Sequence, residues 1–135
     1  SMPEYVVERL MKLLNGHKKC LNGSKIILIG LAYKSDISDL RESPALDVLR
    51  ILEENGAIVD IVDPYIGQFE WRSAKRKTSE LTRDLITNSD AVIITTAHMK
   101  NVNYELIVDN APLILDTRSV LRKLSLDSKN NVNLL

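Results

Sequence analysis

The chain has 135 residues, 44% of them hydrophobic, and its eighteen basic residues balance eighteen acidic ones. That length fits one domain with a contiguous core. Zero formal net charge excludes a global field drawing the protein to nucleic acid or an anionic membrane, so any anion it binds is met locally. The single cysteine, Cys20, forms no internal disulfide and leaves no cysteine-based metal site, which fits a reducing cytoplasmic compartment. Between Lys19 and Leu21, before the turn-like Asn22-Gly23, it reads as an inert thiol rather than a nucleophile. No apolar run approaches the ~20 residues of a membrane helix, and no signal-peptide pattern opens the chain. Ser1 ahead of Met2 reads as a cloning remnant, the mark of an excised fragment.

Pro3 and Glu4 suit a helix start, and Val6, Val7, Leu10, Leu13 and Leu14 then share one helical face. The spacing predicts an amphipathic helix over 3–15, stopped near Asn15 and Gly16. It is either a packed N-terminal addition or the tail of a longer helix. Lys25 to Gly30 (KIILIG) is a branched apolar run of the kind buried on both faces of a parallel sheet. Ser43 and Pro44 offer an N-cap and a first-turn proline for a helix that Gly56 closes. Ala57 to Val62 reads as a strand, 79–88 as a helix, Ala91 to Thr96 as a strand, Tyr104 to Asp109 as a short helix and Leu113 to Asp116 as a strand. The tail from Asn130 to Leu135 adds a candidate edge strand. The basic run from Arg72 to Lys77 reads as a solvated loop rather than a nucleic-acid patch.

Alternating strands and helices define an α/β protein, a Rossmann-like doubly wound parallel sheet of 4–5 strands with flanking helices and an N-terminal helix. Residues 1–20 form the N-terminal helical part and 21–135 the α/β domain. Ligands in such folds bind beyond the carboxyl ends of the strands. That rule selects 30–36, 63–65, 96–98 and 117–119.

The first of these segments lacks the G-x-G-x-x-G fingerprint through which backbone approaches a pyrophosphate. Only Gly30 is glycine, and the helix cap at Ser43 comes about a dozen residues later. The loop offers Lys34 as a mobile cation and Tyr33 as an aromatic face, unless Lys34 is merely solvated and Tyr33 packs on the sheet. Arg41 either braces the loop against Asp36 or Asp39 or turns to an anion; bracing is the favoured reading. Asp63, ahead of Pro64, reads as a turn residue rather than a ribose ligand. Arg118 is the stronger anion candidate, with an ion pair to Asp116 as the alternative. His98 reads as structural or solvated rather than catalytic. No metal constellation or nucleophile-base pair stands out, so no catalytic residue is assigned.

The segments Lys25 to Lys34 (KIILIGLAYK), Asp36 to Pro44 (DISDLRESP), Gly56 to Tyr65 (GAIVDIVDPY) and Leu115 to Arg118 (LDTR) together resemble the UDP-binding C-terminal domain of the UDP-glucose/GDP-mannose dehydrogenase family. Met2 to Leu14 and Thr95 to Asn110 resemble most the branch acting on UDP-N-acetylglucosamine or UDP-N-acetylmannosamine. The resemblance implies a UDP-sugar 6-dehydrogenase of polysaccharide biosynthesis. Such enzymes oxidise the sugar C6 alcohol to a carboxylate in two NAD-dependent hydride transfers, through a cysteine in another domain. It implies that Tyr33, Lys34 and Arg118 contact the UDP-sugar, and that Arg41 and Asp36 shape the loop. It further implies that NAD is bound mainly by a domain absent here, and that the helix at 3–15 ends an interdomain helix near the interface of a homodimer. Cys20 does not match the family's catalytic-cysteine segment, and Ala97 and Ser119 depart from the usual residues. The isolated chain is therefore expected to lack activity; the competing reading is a structural or dimerisation module with no nucleotide.

Overall fold

The computed structural model describes residues 1–32, 34–36 and 40–135. The chain begins with α1 (Met2–Gly16), followed by β1 (Lys25–Ile29), α2 (Pro44–Glu54) and β2 (Ile58–Val62). A hairpin of β3 (Gln68–Trp71) and β4 (Ala74–Lys77) leads to α3 (Arg83–Thr87), β5 (Ala91–Ile94), α4 (Tyr104–Asn110), β6 (Ile114–Asp116), α5 (Val120–Lys123) and β7 (Val132–Leu134). The main sheet has five strands in the order β2-β1-β5-β6-β7, every pair parallel. The expected doubly wound fold is present, and the tail forms the edge strand expected of it.

Strict alternation along the strands divides the core between the two faces, since successive strand side chains point to opposite sides. Ile26, Leu28, Val59, Ile61, Ala91, Ile93, Leu113 and Leu115 pack under α1 and α2. Ile27, Ile29, Val62, Val92, Ile94 and Ile114 pack against Ile86, Ile107, Val108, Val120 and Leu121 from α3, α4 and α5. With β1 buried on both faces, its continuous apolar run needs no polar alternation. From α1, Val6, Val7, Leu10 and Leu14 are all buried, each worth about 1.5–3 kcal/mol relative to exposure. The helix is thus an integral layer over the sheet.

Helix ends follow the sequence in one case and depart from it in another. Gly56 adopts φ 84° beyond α2, with its N–H on Glu53 O and the Ala57 N–H on Leu52 O, the pair of bonds that closes a Schellman motif. At α1 the left-handed residue is Lys18 rather than a glycine, with the same paired bonds to Asn15 O and Leu14 O. The helix therefore runs through Gly16. Ser43 stands at the N-cap of α2 without capping it, because its hydroxyl donates instead to Leu31 O and ties the helix start to the loop after β1.

The basic run is not a loop. Arg72 and Ser73 both have positive φ, 51° and 66°, which makes a two-residue type I′ turn between β3 and β4. Phe69 is buried, Arg76 pairs with Glu53 at 2.8 Å and also donates to Val59 O, and the Trp71 indole donates to the other Glu53 oxygen. Arg76 from the basic run, with Phe69 and Trp71 from β3, thus anchors the hairpin beside β2. The helix expected over 79–88 is confined to Arg83–Thr87, because the Thr82 hydroxyl caps it by accepting from Leu85 N–H.

Candidate functional site

The sheet order places the switch point between β1 and β5, since the connection from β1 crosses one face and those that follow cross the other. The crevice there is filled by the protein itself. Gly30, at φ 95°, lies so close to the next loop that an added Cβ would stand 2.3 Å from the Thr96 Cβ. Its missing side chain makes room for Thr96, not for a pyrophosphate. Thr96 Oγ1 donates to Ala32 O, and Thr95 Oγ1 to Ile29 O and Gly30 O.

Next to this contact lies a buried pair. One oxygen of Asp63, Oδ2, accepts from Leu31 N–H (2.8 Å), Ala32 N–H (3.1 Å) and His98 Nε2 (3.0 Å), while Oδ1 accepts from Tyr65 N–H (2.9 Å). The other histidine nitrogen, Nδ1, accepts from Asp36 N–H at 2.7 Å. An N–H facing Nδ1 requires a lone pair there, so the ring proton sits on Nε2 and donates to Asp63. Both nitrogens are occupied in a residue with no exposed surface, and the ring has no free position for acid-base work. Burial raises the Asp63 carboxyl, but the bonds from His98, Tyr65, Leu31 and Ala32 outweigh it and hold it below the ordinary range.

Asp36 continues the network outward. Its carboxylate accepts from Tyr65 Oη (2.9 Å), Lys100 N–H (3.0 Å) and Met99 N–H (3.4 Å), while the Tyr65 ring lies 4.9 Å from that of His98. Desolvation acts to raise this carboxyl, and the bonds from Lys100, Tyr65 and Met99 bring it below its usual value. The same contact with Asp36, added to desolvation, raises the Tyr65 phenol. Asp63 therefore does form the turn expected of it, and His98 is structural; their pairing across two loops was not foreseen.

Of the other residues singled out in the sequence, Lys34 and Arg41 are exposed, and Tyr33 lies outside the described residues, as does Asp39. Arg118 is exposed just beyond β6 and reaches Thr95 O at 3.5 Å. Asp116 gives its buried carboxylate to the N–H groups of Arg118 and Leu121. Arg118 lines a cleft of about 250 Å³ with Thr95 and Thr117, walled by Pro3, Val6, Ala45 and Val48. Lys34 and Asp36 belong to the β1 end of the rim and Arg118 to the β6 end, with Thr95 and Thr96 between them. Among the described residues no cluster of three or more His, Cys, Asp or Glu side chains is placed to hold a metal ion, and no helix is long and apolar enough to cross a membrane.

Numbered within the main sheet alone, the five strands run 2-1-3-4-5, so the protein is a doubly wound α/β domain with a cationic cleft at its carboxyl rim. A family profile described as "UDP-glucose/GDP-mannose dehydrogenase family, UDP binding domain" matches residues 27–123. The chain belongs to that family and corresponds to its UDP binding domain. It is 33% identical over 90% of its length to a UDP-N-acetyl-D-mannosamine dehydrogenase of Methanococcus maripaludis, of which it covers 28%. A UDP-glucose 6-dehydrogenase of Rickettsia conorii is 29% identical over 88% of the chain, which again covers 28% of that relative. Among solved structures, the UDP-D-ManNAc dehydrogenase of Pyrococcus horikoshii superposes with a TM-score of 0.71 at 29% identity, covering 88% of this chain and 27% of the other. The chain thus spans little more than a quarter of the length of these relatives.

Proposed function

We propose that this chain is the C-terminal substrate-nucleotide-binding domain of an NAD-dependent UDP-sugar 6-dehydrogenase. The whole enzyme would oxidise the C6 alcohol of a UDP-N-acetylhexosamine or UDP-glucose to the carboxylate, in the cytoplasm and as a homodimer, for polysaccharide biosynthesis. In this reading Tyr33, Lys34 and Arg118 hold the UDP-sugar, Asp36 and Arg41 shape the loop between them, and α1 is the end of an interdomain helix. The observation that carries it is the Arg118 cleft, in which a planar cation stands beside an apolar wall at the ligand rim of the fold.

The residues present do not fit NAD. The glycine after β1 is taken up by its contact with Thr96, and the switch-point crevice is occupied by Asp63 and His98. Hydride transfer is accordingly assigned to the part of the enzyme outside this chain, and the chain alone is inactive. What its own residues supply is anion binding by Arg118 and Lys34 and exclusion of water by the apolar wall.

A second reading, a dimerisation module without nucleotide, draws on Met2, Tyr5 and Met11, which are exposed on α1 at 62%, 47% and 42%. Amide-shift titration of the labelled chain with UDP, UDP-N-acetylglucosamine and NAD separates the two. Shifts at Lys34 and Arg118 with the uridine ligands and none with NAD support the substrate-side reading. Silence to nucleotides together with a concentration-dependent dimer in sedimentation supports the second.

A further inference from the structure

We infer that His98 is a positioning residue for the nucleotide-sugar site: with Asp63, Asp36 and Tyr65 it latches the loops after β1, β2 and β5 together and so fixes where Lys34 stands. The inference rests on the proposed role of Lys34 and adds to it residues that touch no ligand. Lys34 lies between two anchored points. On one side Leu31 and Ala32 donate their N–H groups to Asp63, and Thr96 holds the Ala32 carbonyl. On the other, Asp36 donates its N–H to His98, while its carboxylate takes Tyr65 Oη and the N–H groups of Met99 and Lys100. One imidazole joins the two anchors, because the ring that accepts from Asp36 also donates to the oxygen that accepts from Leu31 and Ala32.

The geometry is more than core packing. Asp36 stands at φ 58°, a left-handed conformation uncommon for residues with a Cβ and one that aspartate tolerates better than most. The N–H that it turns inward in that conformation is the one bonded to His98. The His98 backbone is held as well, since Tyr104 Oη donates to its carbonyl at 2.6 Å. A buried imidazole with both nitrogens engaged is a rigid connector between loops, and it sets the span between the anchors on either side of Lys34.

The test is a double-mutant cycle on the labelled 135-residue chain, reading the affinity for UDP and UDP-N-acetylglucosamine by amide-shift titration. His98→Gln places an amide where Nε2 was, towards Asp63, and removes the acceptor for Asp36 N–H. His98→Asn places one near Nδ1 and keeps that acceptor. Each variant keeps one of the two ring bonds and loses the other, and loss of one net hydrogen bond from the latch weakens binding by about three- to tenfold in both. In a Lys34→Ala background the same His98→Gln change has no further effect on affinity, whereas a residue acting on the site by another route gives the same loss in both backgrounds and one that only stabilises the fold gives none. Should His98→Gln not fold, Tyr65→Phe replaces it in the cycle, since it removes only the hydroxyl that donates to Asp36 and accepts from Asn101. Equal losses with and without Lys34, or unchanged affinity in the folded variants, overturn the positioning role while leaving the nucleotide site in place. A wild-type chain that responds to neither uridine ligand overturns the reading of the site itself, and the latch's role with it.

Discussion

The backbone N–H of Arg118 donates to the buried carboxylate of Asp116 at 3.1 Å, so the acid that stands two residues from the guanidinium serves the turn and not the charge. Leu121 N–H takes the other oxygen at 2.8 Å, which fixes the start of α5 as well. The division of labour predicts two separable phenotypes. Arg118→Ala removes uridine-nucleotide binding by about tenfold or more, as expected for a charge-assisted bidentate contact, with urea unfolding unchanged within about 0.5 kcal/mol. Asp116→Ala does the reverse at the level of stability, losing about 3 kcal/mol because two N–H groups lose a charged acceptor.

Acid should weaken the fold at both ends of the sheet, since Asp36 and Asp63 stand at its carboxyl rim and Asp90 holds the Lys25 N–H at the start of β1. Asp36, Asp63 and Asp90 all lie below the ordinary carboxylate range; for Asp90, desolvation acts to raise it, and Lys19 and the Lys25 N–H overcome that. A folded-state pKa below the unfolded one adds stability that is complete above the unfolded value and is lost as pH falls through the folded one. Stability is therefore expected to be flat near neutrality and to fall below pH ~4, the ordinary aspartate value. Urea unfolding as a function of pH reads this directly. Asp63→Asn, already weaker at neutral pH, should show a shallower decline over that range.

Gly30 tolerates no side chain. The left-handed φ and the 2.3 Å approach to Thr96 act together, so Gly30→Ala should cost about 2–4 kcal/mol in thermal or chemical unfolding. Adding Thr96→Gly removes the facing Cβ and should restore part of that loss. A purely additive pair would assign the strain to φ and to the Thr96 backbone nitrogen, which would stand 2.8 Å from the added Cβ.

The hairpin turn is open to improvement. Arg72 and Ser73 occupy two positions that ask for positive φ with residues ill suited to it. Replacing them with Asn and Gly should raise stability by about 1 kcal/mol, visible as an increase in melting temperature, without altering nucleotide affinity.

The parallel sheet was readable because its strands are short apolar runs closed by turn residues, as in KIILIG and AIVDIV. The hairpin was not, for the same physical reason that makes its turn improvable: no Asn-Gly marks it, and β4 reads as solvated charge until Glu53 is brought against Arg76 by the fold. The four residues of α5 are too few to show a helical period. At the site, Lys34 and Arg118 could be placed from their positions after β1 and β6. The joining of Asp63 to His98 could not, because it crosses between residues thirty-five apart in sequence whose strands flank β1 on either side. A signal was nonetheless there: two polar residues directly after strands neighbouring the switch point are candidates to meet across it.

Met2 and Pro3 at one end of the chain and Leu135 at the other border the same cleft as Arg118. A fluorophore attached at residue 135, or an affinity tag left ahead of residue 2, would therefore sit at the mouth of the candidate site. The first arrangement makes a reporter of ligand entry; the second makes an obstruction that could be mistaken for an empty site, so binding measurements should begin with untagged ends.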